Sequence, residues 1–196
     1  MRKVMLIGAG GIGSFLADFL SRINNAKTGK LYQITVFDDD KIETKNLSYQ
    51  NFGVDEVGKH KVMSLYDRFN CEVEPYPVLV KEQLKGYDLV VCCADNLAVR
   101  RLLYRQGYGD NAEIKWLDLR AQARNAALIS YKADANLVDT FLSGPEGSFS
   151  CQGGEWDGSG KDINTMHITI AGIAAQWIQR WFNDKHGVVD KMVINV

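Results

Sequence analysis

The glycine-rich stretch near the amino terminus constrains the fold more than any other feature of this sequence. Residues 8–14 read GAGGIGS and directly follow the apolar run VMLI. The next apolar residues recur at helical spacing: Ile12, Leu16, Phe19, Leu20 and Ile23. A strand, a Gly8-x-Gly10-x-x-Gly13 turn and a helix are typical of a nucleotide-binding βαβ unit, because the glycines allow a tight turn and close contacts with phosphate and helix. We therefore predict an α/β fold, and the turn alone leaves open whether the nucleotide is NAD or ATP.

The second predicted strand ends in an acidic residue, at the position where a nucleotide-binding βαβ unit has a carboxylate for the ribose. The stretch LYQITVFD ends at Asp38, 25 residues after Gly13. A carboxylate at this point suits the ribose hydroxyls of a nucleotide, although an ordinary residue at a strand end fits as well. Further strands are predicted at 74–80, 87–94, 114–122, 125–132 and, at the sheet edge, 188–196. Helices are predicted at 58–69, after Asp95 and Asn96, and from Met166 to Trp181.

Length, charge and cysteine usage narrow the class of protein. A chain of 196 residues with 46% hydrophobic content suits a single domain, residues 1–196, of the Rossmann-like three-layer α/β class. We expect its parallel sheet to be extended by antiparallel strands in the C-terminal half. The net charge of −1 argues against nucleic-acid and anionic-membrane partners. There is no signal-peptide core and no apolar run near the roughly 18 residues that span a membrane, so we expect a cytoplasmic protein.

Four stretches together carry a family resemblance. GAGGIGS, DDDKIETKNLSYQNF, DEVGKHK and CCADNLAVR resemble the successive signatures of the ThiF and MoeB family, which includes the adenylation domains of ubiquitin-activating enzymes. The resemblance covers roughly residues 3 to 105, with a weaker similarity over 143–182. It implies an ATP- and Mg²⁺-dependent enzyme that adenylates the C-terminal carboxylate of a ubiquitin-like or sulfur-carrier protein and releases pyrophosphate. It also implies a homodimer.

The resemblance also implies roles for individual residues. Asp38 would hold the ribose with support from Asp40, Asp95 would bind Mg²⁺, and Asn46 and Lys61 would contact phosphate oxygens. The remaining nucleotide-binding candidates are Gly8, Gly10, Gly11, Gly13, Gln50 and Lys59. Each has a simpler alternative: Asp95 as a helix cap, the lysines as exposed helix residues, and the polar residues as ordinary loop positions. Arg100, which follows the Asp-Asn pair, fits either a structural salt bridge or a role in the site, and the structural role is the expected one.

Two departures from the family pattern remove cations. Tyr49 stands where the family string Asn-Leu-x-Arg-Gln has its arginine, and no helix with an Arg-Gln element precedes the first strand. Three explanations stay open: another chain supplies an arginine, Lys59, Lys61 and Arg101 make up the charge, or the chain is a degenerate binder. The missing arginines support one alternative function, a noncatalytic nucleotide-binding scaffold subunit. The glycine turn and Asp38 also suit a second and less favoured alternative, an NAD-dependent oxidoreductase.

The glycine-rich segment 143–162 is predicted to be a mobile loop, and it contains Cys151. The family often places zinc ligands or a nucleophilic cysteine in this region. We expect no zinc, because the chain lacks a Cys-x-x-Cys pair. Cys151 is a candidate nucleophile, but nearby Glu155 and Asp157 would disfavour its thiolate, so an inert thiol is the expected state.

Overall fold

The computed structural model describes residues 1–26, 31–136, 164–184 and 187–196. Its strands are β1 (Arg2–Ile7), β2 (Tyr32–Phe37), β3 (Glu72–Glu74), β4 (Leu89–Cys92), β5 (Trp116–Gln122), β6 (Asn125–Ser130) and β7 (Lys191–Asn195). Its α-helices, within these residues, are α1 (Gly11–Asn25), α2 (Lys61–Phe69), α3 (Leu97–Tyr104) and α4 (Met166–Asn183).

The seven strands form one sheet in the order β3-β2-β1-β4-β5-β6-β7. The first five in that order pair in parallel, and β6 and β7 add to β5 as antiparallel strands. β1 lies between β2 and β4, and its residues Val4, Met5 and Leu6 are fully buried, as expected for a parallel strand covered on both faces. The α/β class and the antiparallel C-terminal extension are therefore confirmed.

Helices α1 and α4 pack against each other and bury the apolar residues that the spacing predicts. Leu16 and Leu20 of α1 are fully buried. On α4, the Trp177 and Trp181 rings stack 6.1 Å apart. Their indole N–H groups donate to the Val189 carbonyl at 2.9 Å and to the Tyr131 hydroxyl at 3.1 Å. Both tryptophans are thus core residues with satisfied polar atoms.

The predicted strand at 74–80 is wrong. Strand β3 ends at Glu74, and residues 75–80 are irregular. Pro75 and Pro77 lack the N–H that a strand ladder needs, which explains why this apolar segment pairs with nothing. No helix in the described residues is long and apolar enough to cross a membrane. The predicted loop 143–162, with Cys151, lies outside the described residues.

Candidate functional site

A cavity of about 390 Å³ opens at the carboxyl ends of β1, β2 and β4. The chain passes from β1 through α1 to β2 on one side of β1, and it later returns from β3 to β4 on the other side. Open α/β sheets bind ligands in the crevice that this change of direction creates. Nine of the predicted residues line it: Gly8, Gly10, Gly11, Asp38, Asp40, Asn46, Gln50, Lys61 and Asp95. Gly13 and Lys59 do not line the cavity, and Cys151 lies outside the described residues.

The glycine turn is shaped by close approaches of the backbone. Gly8 has φ +97°, and a Cβ there would lie 2.9 Å from the Ala94 nitrogen. A Cβ on Gly13 would lie 1.9 Å from the Gly8 carbonyl oxygen, so Gly13 serves the packing of α1 on the turn rather than the cavity surface. Gly10 precedes α1, and no side chain caps the helix. The free amides of this first turn and the helix dipole favour an anion such as phosphate.

Asp38 joins the end of β2 to the glycine turn. Its Oδ2 accepts the Ala9 N–H at 2.6 Å, and its Oδ1 accepts the Asp40 N–H at 2.9 Å. Burial raises the pKa of the Asp38 carboxyl, against the opposing effects of Lys61 and the two amides. A carboxylate has about four lone-pair sites, so two amide contacts leave room for ribose hydroxyls.

Lys61 is the first residue of helix α2, and it lines the cavity. The residue is only 6% exposed, and its Nζ lies 2.8 Å from Asp40 Oδ2. Burial lowers the pKa of the Lys61 ammonium, but the carboxylates of Asp38 and Asp40 outweigh it and raise the net pKa. Lys61 is therefore a charged group held inside the site, not a lysine on an exposed helix face.

The loop from Asn46 to Gln50 forms another wall. Asn46 Oδ1 accepts the Glu43 N–H at 2.9 Å, and the Tyr49 ring lies edge-on to His167 of α4. Gln50 is only 8% exposed, yet its Oε1 has no hydrogen-bond partner in the described structure. A buried polar atom without a partner costs roughly 1–3 kcal/mol, so this oxygen points to a ligand.

Asp95 follows β4 and presents its carboxylate to the cavity. It does not cap the next helix: Asn96 does so, with its side chain accepting the Ala98 N–H at 2.8 Å. Asp95 is exposed, and within the described residues no hydrogen bond or ion pair engages its carboxylate. The carboxylate is thus available to a ligand.

Arg100 of α3 lies behind this segment in a buried network. Its guanidinium donates to the Ala94 carbonyl from Nε at 3.1 Å and from Nη2 at 2.6 Å. It also pairs with the fully buried Asp118 of β5, which Arg120 contacts at 2.8 Å and the Tyr104 hydroxyl approaches closely. Burial opposes the charge of Arg100, but Asp118 raises the pKa of its guanidinium, so the arginine stays charged. The expected structural role is consistent with these contacts.

Sequence reasoning missed several lining residues. Cys93, which falls within the strand predicted at 87–94, is the first residue after β4 and lines the cavity. Pro77 and Val78, placed in the wrong strand prediction, line it too. No signal in the sequence placed Cys93 at the cavity; its neighbour across the turn is Gly13, where a Cβ would lie 3.4 Å from Cys93 Cβ.

The cavity wall carries more negative than positive charge. The acidic lining residues are Asp38, Asp39, Asp40, Glu43 and Asp95, and the basic ones are Lys45 and Lys61. Both lysines already have carboxylate partners, and no arginine lines the cavity in the described part of the chain. A polyphosphate would need additional positive charge here.

Comparison with known proteins matches this chain to one family over nearly its whole length. The ThiF family matches residues 1–192. The chain is 33% identical, over 52% of its length, to "Adenylyltransferase and sulfurtransferase UBA4" of Candida albicans, and covers 24% of that protein. It is 31% identical, over 52% of its length, to the molybdopterin-synthase adenylyltransferase of Salmonella typhimurium, and covers 43% of that protein.

The same fold occurs in a solved structure. The chain superposes on E. coli MccB with ATP with a TM-score of 0.65 and 18% identity, over all of this chain and 60% of the other. The chain therefore spans less than two thirds of each of these proteins.

Proposed function

Because this chain belongs to the ThiF family, we propose that it is the ATP-binding part of an adenylyltransferase. Its substrate would be the C-terminal carboxylate of a ubiquitin-like or sulfur-carrier protein. The names of the relatives support the reaction class, since both are adenylyltransferases and one is also a sulfurtransferase. The MccB structure with ATP supports the nucleotide.

One observation carries the proposal: residues from all four distant motifs line one cavity. Gly10 comes from the first motif, Asn46 from the second, Lys61 from the third and Asp95 from the fourth. Four polar groups of the described structure surround one space: the uncapped start of α1, the buried Lys61 ammonium, the unpartnered Gln50 Oε1 and the Asp95 carboxylate. Packing stability does not require such a cluster, and it is typical of a ligand-binding site.

The chemistry proposed here is acyl adenylation. A carboxylate oxygen of the substrate attacks the α-phosphorus of ATP and forms a new P–O bond. The bond between the α-phosphorus and the bridging oxygen breaks, and its electron pair leaves with pyrophosphate. No proton has to move, so the chain needs positioning and charge stabilisation rather than a general base.

The described residues divide these tasks. Asp38 would accept ribose hydroxyls, and the amides at Gly10 and Gly11 would approach a phosphate. Lys61 and Asn46 would donate to phosphate oxygens, with Lys61 exchanging Asp40 for phosphate. Gln50 and Asp40 would support the same site.

The donor set at Asp95 fits Mg²⁺. Its carboxylate has no partner among the described residues, and carboxylate oxygens together with nucleotide phosphates are the usual magnesium ligands. Bound Mg²⁺ would neutralise charge on the phosphates, which this acidic cavity does not do alone. The residue that would hold it is Asp95.

A noncatalytic nucleotide-binding subunit is the second candidate. The observation favouring it is the cation deficit: Tyr49 occupies the family's arginine position, and both lining lysines are paired. In the main proposal, a homodimer or another chain supplies the missing positive charge.

Exchange of labelled pyrophosphate into ATP distinguishes these two functions. Purified protein would be assayed with Mg²⁺ and small carrier proteins that end in Gly-Gly, with a carrier lacking that dipeptide as the control. We expect exchange only with an intact carrier. ATP binding without exchange, across carriers and with the protein dimeric, would support the noncatalytic subunit instead.

A further inference from the structure

The chain just after β4 stays bonded to β1, where the Cys93 N–H donates to the Ile7 carbonyl at 2.8 Å, but it has left the pairing with β5. The β4–β5 ladder pairs Val90 with Trp116 and ends where Cys92 pairs with Asp118. Ala94 lies two residues beyond that end and directly before Asp95. Its position therefore depends on contacts other than the strand pairing with β5.

Arg100 supplies those contacts. Two of its nitrogens donate to the Ala94 carbonyl, at 3.1 Å and 2.6 Å, and Nη2 also lies 3.4 Å from the Leu119 carbonyl. The guanidinium thus bridges the chain after β4 to β5, where regular ladder bonds have stopped. Lysine lacks this planar fork and would not make the same set of contacts.

Asp118 forms an ion pair with the Arg100 guanidinium. This carboxylate is fully buried, and its Oδ1 has no hydrogen-bond partner in the described structure apart from the 3.4 Å ion pair with Arg100. Its Oδ2 accepts hydrogen bonds from Arg120 Nε and from the Tyr104 hydroxyl. Tyr104 lies one helical turn after Arg100 on α3, so the same carboxylate anchors two positions of that helix.

We infer that Arg100, held by Asp118, is a positioning residue that sets the place of the Asp95 carboxylate for Mg²⁺. The inference rests on the proposed function, because it assumes that Asp95 binds the magnesium of Mg·ATP. Arg100 touches neither nucleotide nor metal in this arrangement: it is not among the residues that line the cavity. It acts through the Ala94 carbonyl, one residue from Asp95.

The test compares Arg100→Lys with Arg120→Lys. Both variants keep the positive charge and change a partner of the same buried carboxylate, but only Arg100 contacts Ala94. Mg²⁺ is titrated at fixed ATP, and binding of adenosine without metal is measured in parallel by calorimetry. Thermal unfolding verifies that each variant is folded, and Arg100→Gln replaces Arg100→Lys if the latter does not fold.

We expect Arg100→Lys to need about tenfold more Mg²⁺ for half-maximal ATP binding, the lower end of effects seen when residues supporting a metal ligand are changed. Its adenosine affinity and the Mg²⁺ response of Arg120→Lys should match the wild type within about twofold. An unshifted Arg100→Lys curve, an equal shift in Arg120→Lys, or a parallel loss of adenosine binding overturns the inference. A wild-type chain whose ATP binding ignores Mg²⁺ overturns the proposed function, and the inference with it.

Discussion

At the scale of single residues, some polar groups of the site have hydrogen-bond or ion-pair partners in the described structure and others have none. Asp38 accepts one hydrogen bond from the glycine turn, at Ala9, and one from Asp40 in its own loop, and Lys61 forms an ion pair with Asp40. In the part of the chain that the structure describes, the buried Gln50 Oε1 and the Asp95 carboxylate have no partner. The groups without partners are the ones that a ligand would complete, and the paired ones fix the shape into which it would fit.

Asp95→Ala is the residue change that tests the proposed metal role. Removing the carboxylate should lower ATP affinity in the presence of Mg²⁺ by about tenfold or more, equivalent to ~1.4 kcal/mol. ATP affinity without Mg²⁺ should hold or rise slightly, because a negative charge is lost beside the phosphates. Calorimetric titration measures both values.

Asp67→Ala is the matched control, since Asp67 is an exposed aspartate on α2 that does not line the cavity. It should bind Mg·ATP as the wild type does. An Asp95→Ala protein with wild-type Mg²⁺ dependence would show that Asp95 has no metal role.

The sequence predicted most of the cavity's lining because three of its segments, the glycine turn, Asp38 and Asp95, follow strands whose ends the sheet brings together. Asn46, Gln50 and Lys61 came from the family motifs alone. The sequence did not predict the Lys61 pair with Asp40, the position of Cys93 or the orphan oxygen of Gln50. These depend on how loops fold across the sheet edge, and no periodicity in the sequence encodes such contacts.

At the scale of elements, hydrophobic pattern located most strands and the four helices named above. Hydrophobic pattern predicted a strand at 74–80 that does not form, and it did not locate β3. That segment is apolar but carries two prolines, whereas β3 itself is the short polar stretch Glu72–Glu74 at the sheet edge. A three-residue edge strand has no core-facing run long enough to be recognised.

Gly13→Ala tests the packing of α1 on the glycine turn. The added Cβ would collide with the Gly8 carbonyl, at 1.9 Å, so the helix or the turn must shift. We expect a loss of about 3 kcal/mol in the free energy of unfolding, measured by denaturant titration. At Gly10, by contrast, a Cβ would meet only Gln50 Nε2, at 3.9 Å. Gly10→Ala should therefore cost less, and equal losses would contradict this account of Gly13.

Helix α4 packs a buried histidine against α1 and the Asn46–Gln50 loop. The His167 ring lies 5.8 Å from Phe15 and 6.2 Å from Tyr49. Burial lowers the pKa of its imidazole, although backbone groups of Tyr49 and Asn164 oppose the shift. The folded state therefore favours the neutral ring, and the unfolded state binds a proton first as the pH falls.

This histidine should make stability depend on pH. Its contribution is intact above the unfolded pKa of 6.5 and is lost progressively as the pH falls from there toward the lower folded pKa. His167→Phe should flatten the free energy of unfolding over that window, measured by denaturant titration at several pH values. An unchanged slope in this variant would mean that another group causes the acid sensitivity.

At the scale of the whole molecule, a nearly neutral chain contains an acidic cavity. The chain carries a formal charge of −1, but its cavity gathers five carboxylates and two paired lysines. The chain also spans less than half of the curated relatives compared with it. In the proposed function, Mg²⁺ and a cation from outside the described residues would offset the negative charge of the cavity.

Calorimetric titration of the purified protein with ATP and, separately, with NAD, each with and without Mg²⁺, tests the central claim most directly. The account predicts saturable ATP binding that Mg²⁺ strengthens by about tenfold or more, with weaker NAD binding that Mg²⁺ leaves unchanged. A protein dimeric by light scattering that prefers NAD, or that binds ATP equally well without Mg²⁺, would contradict it.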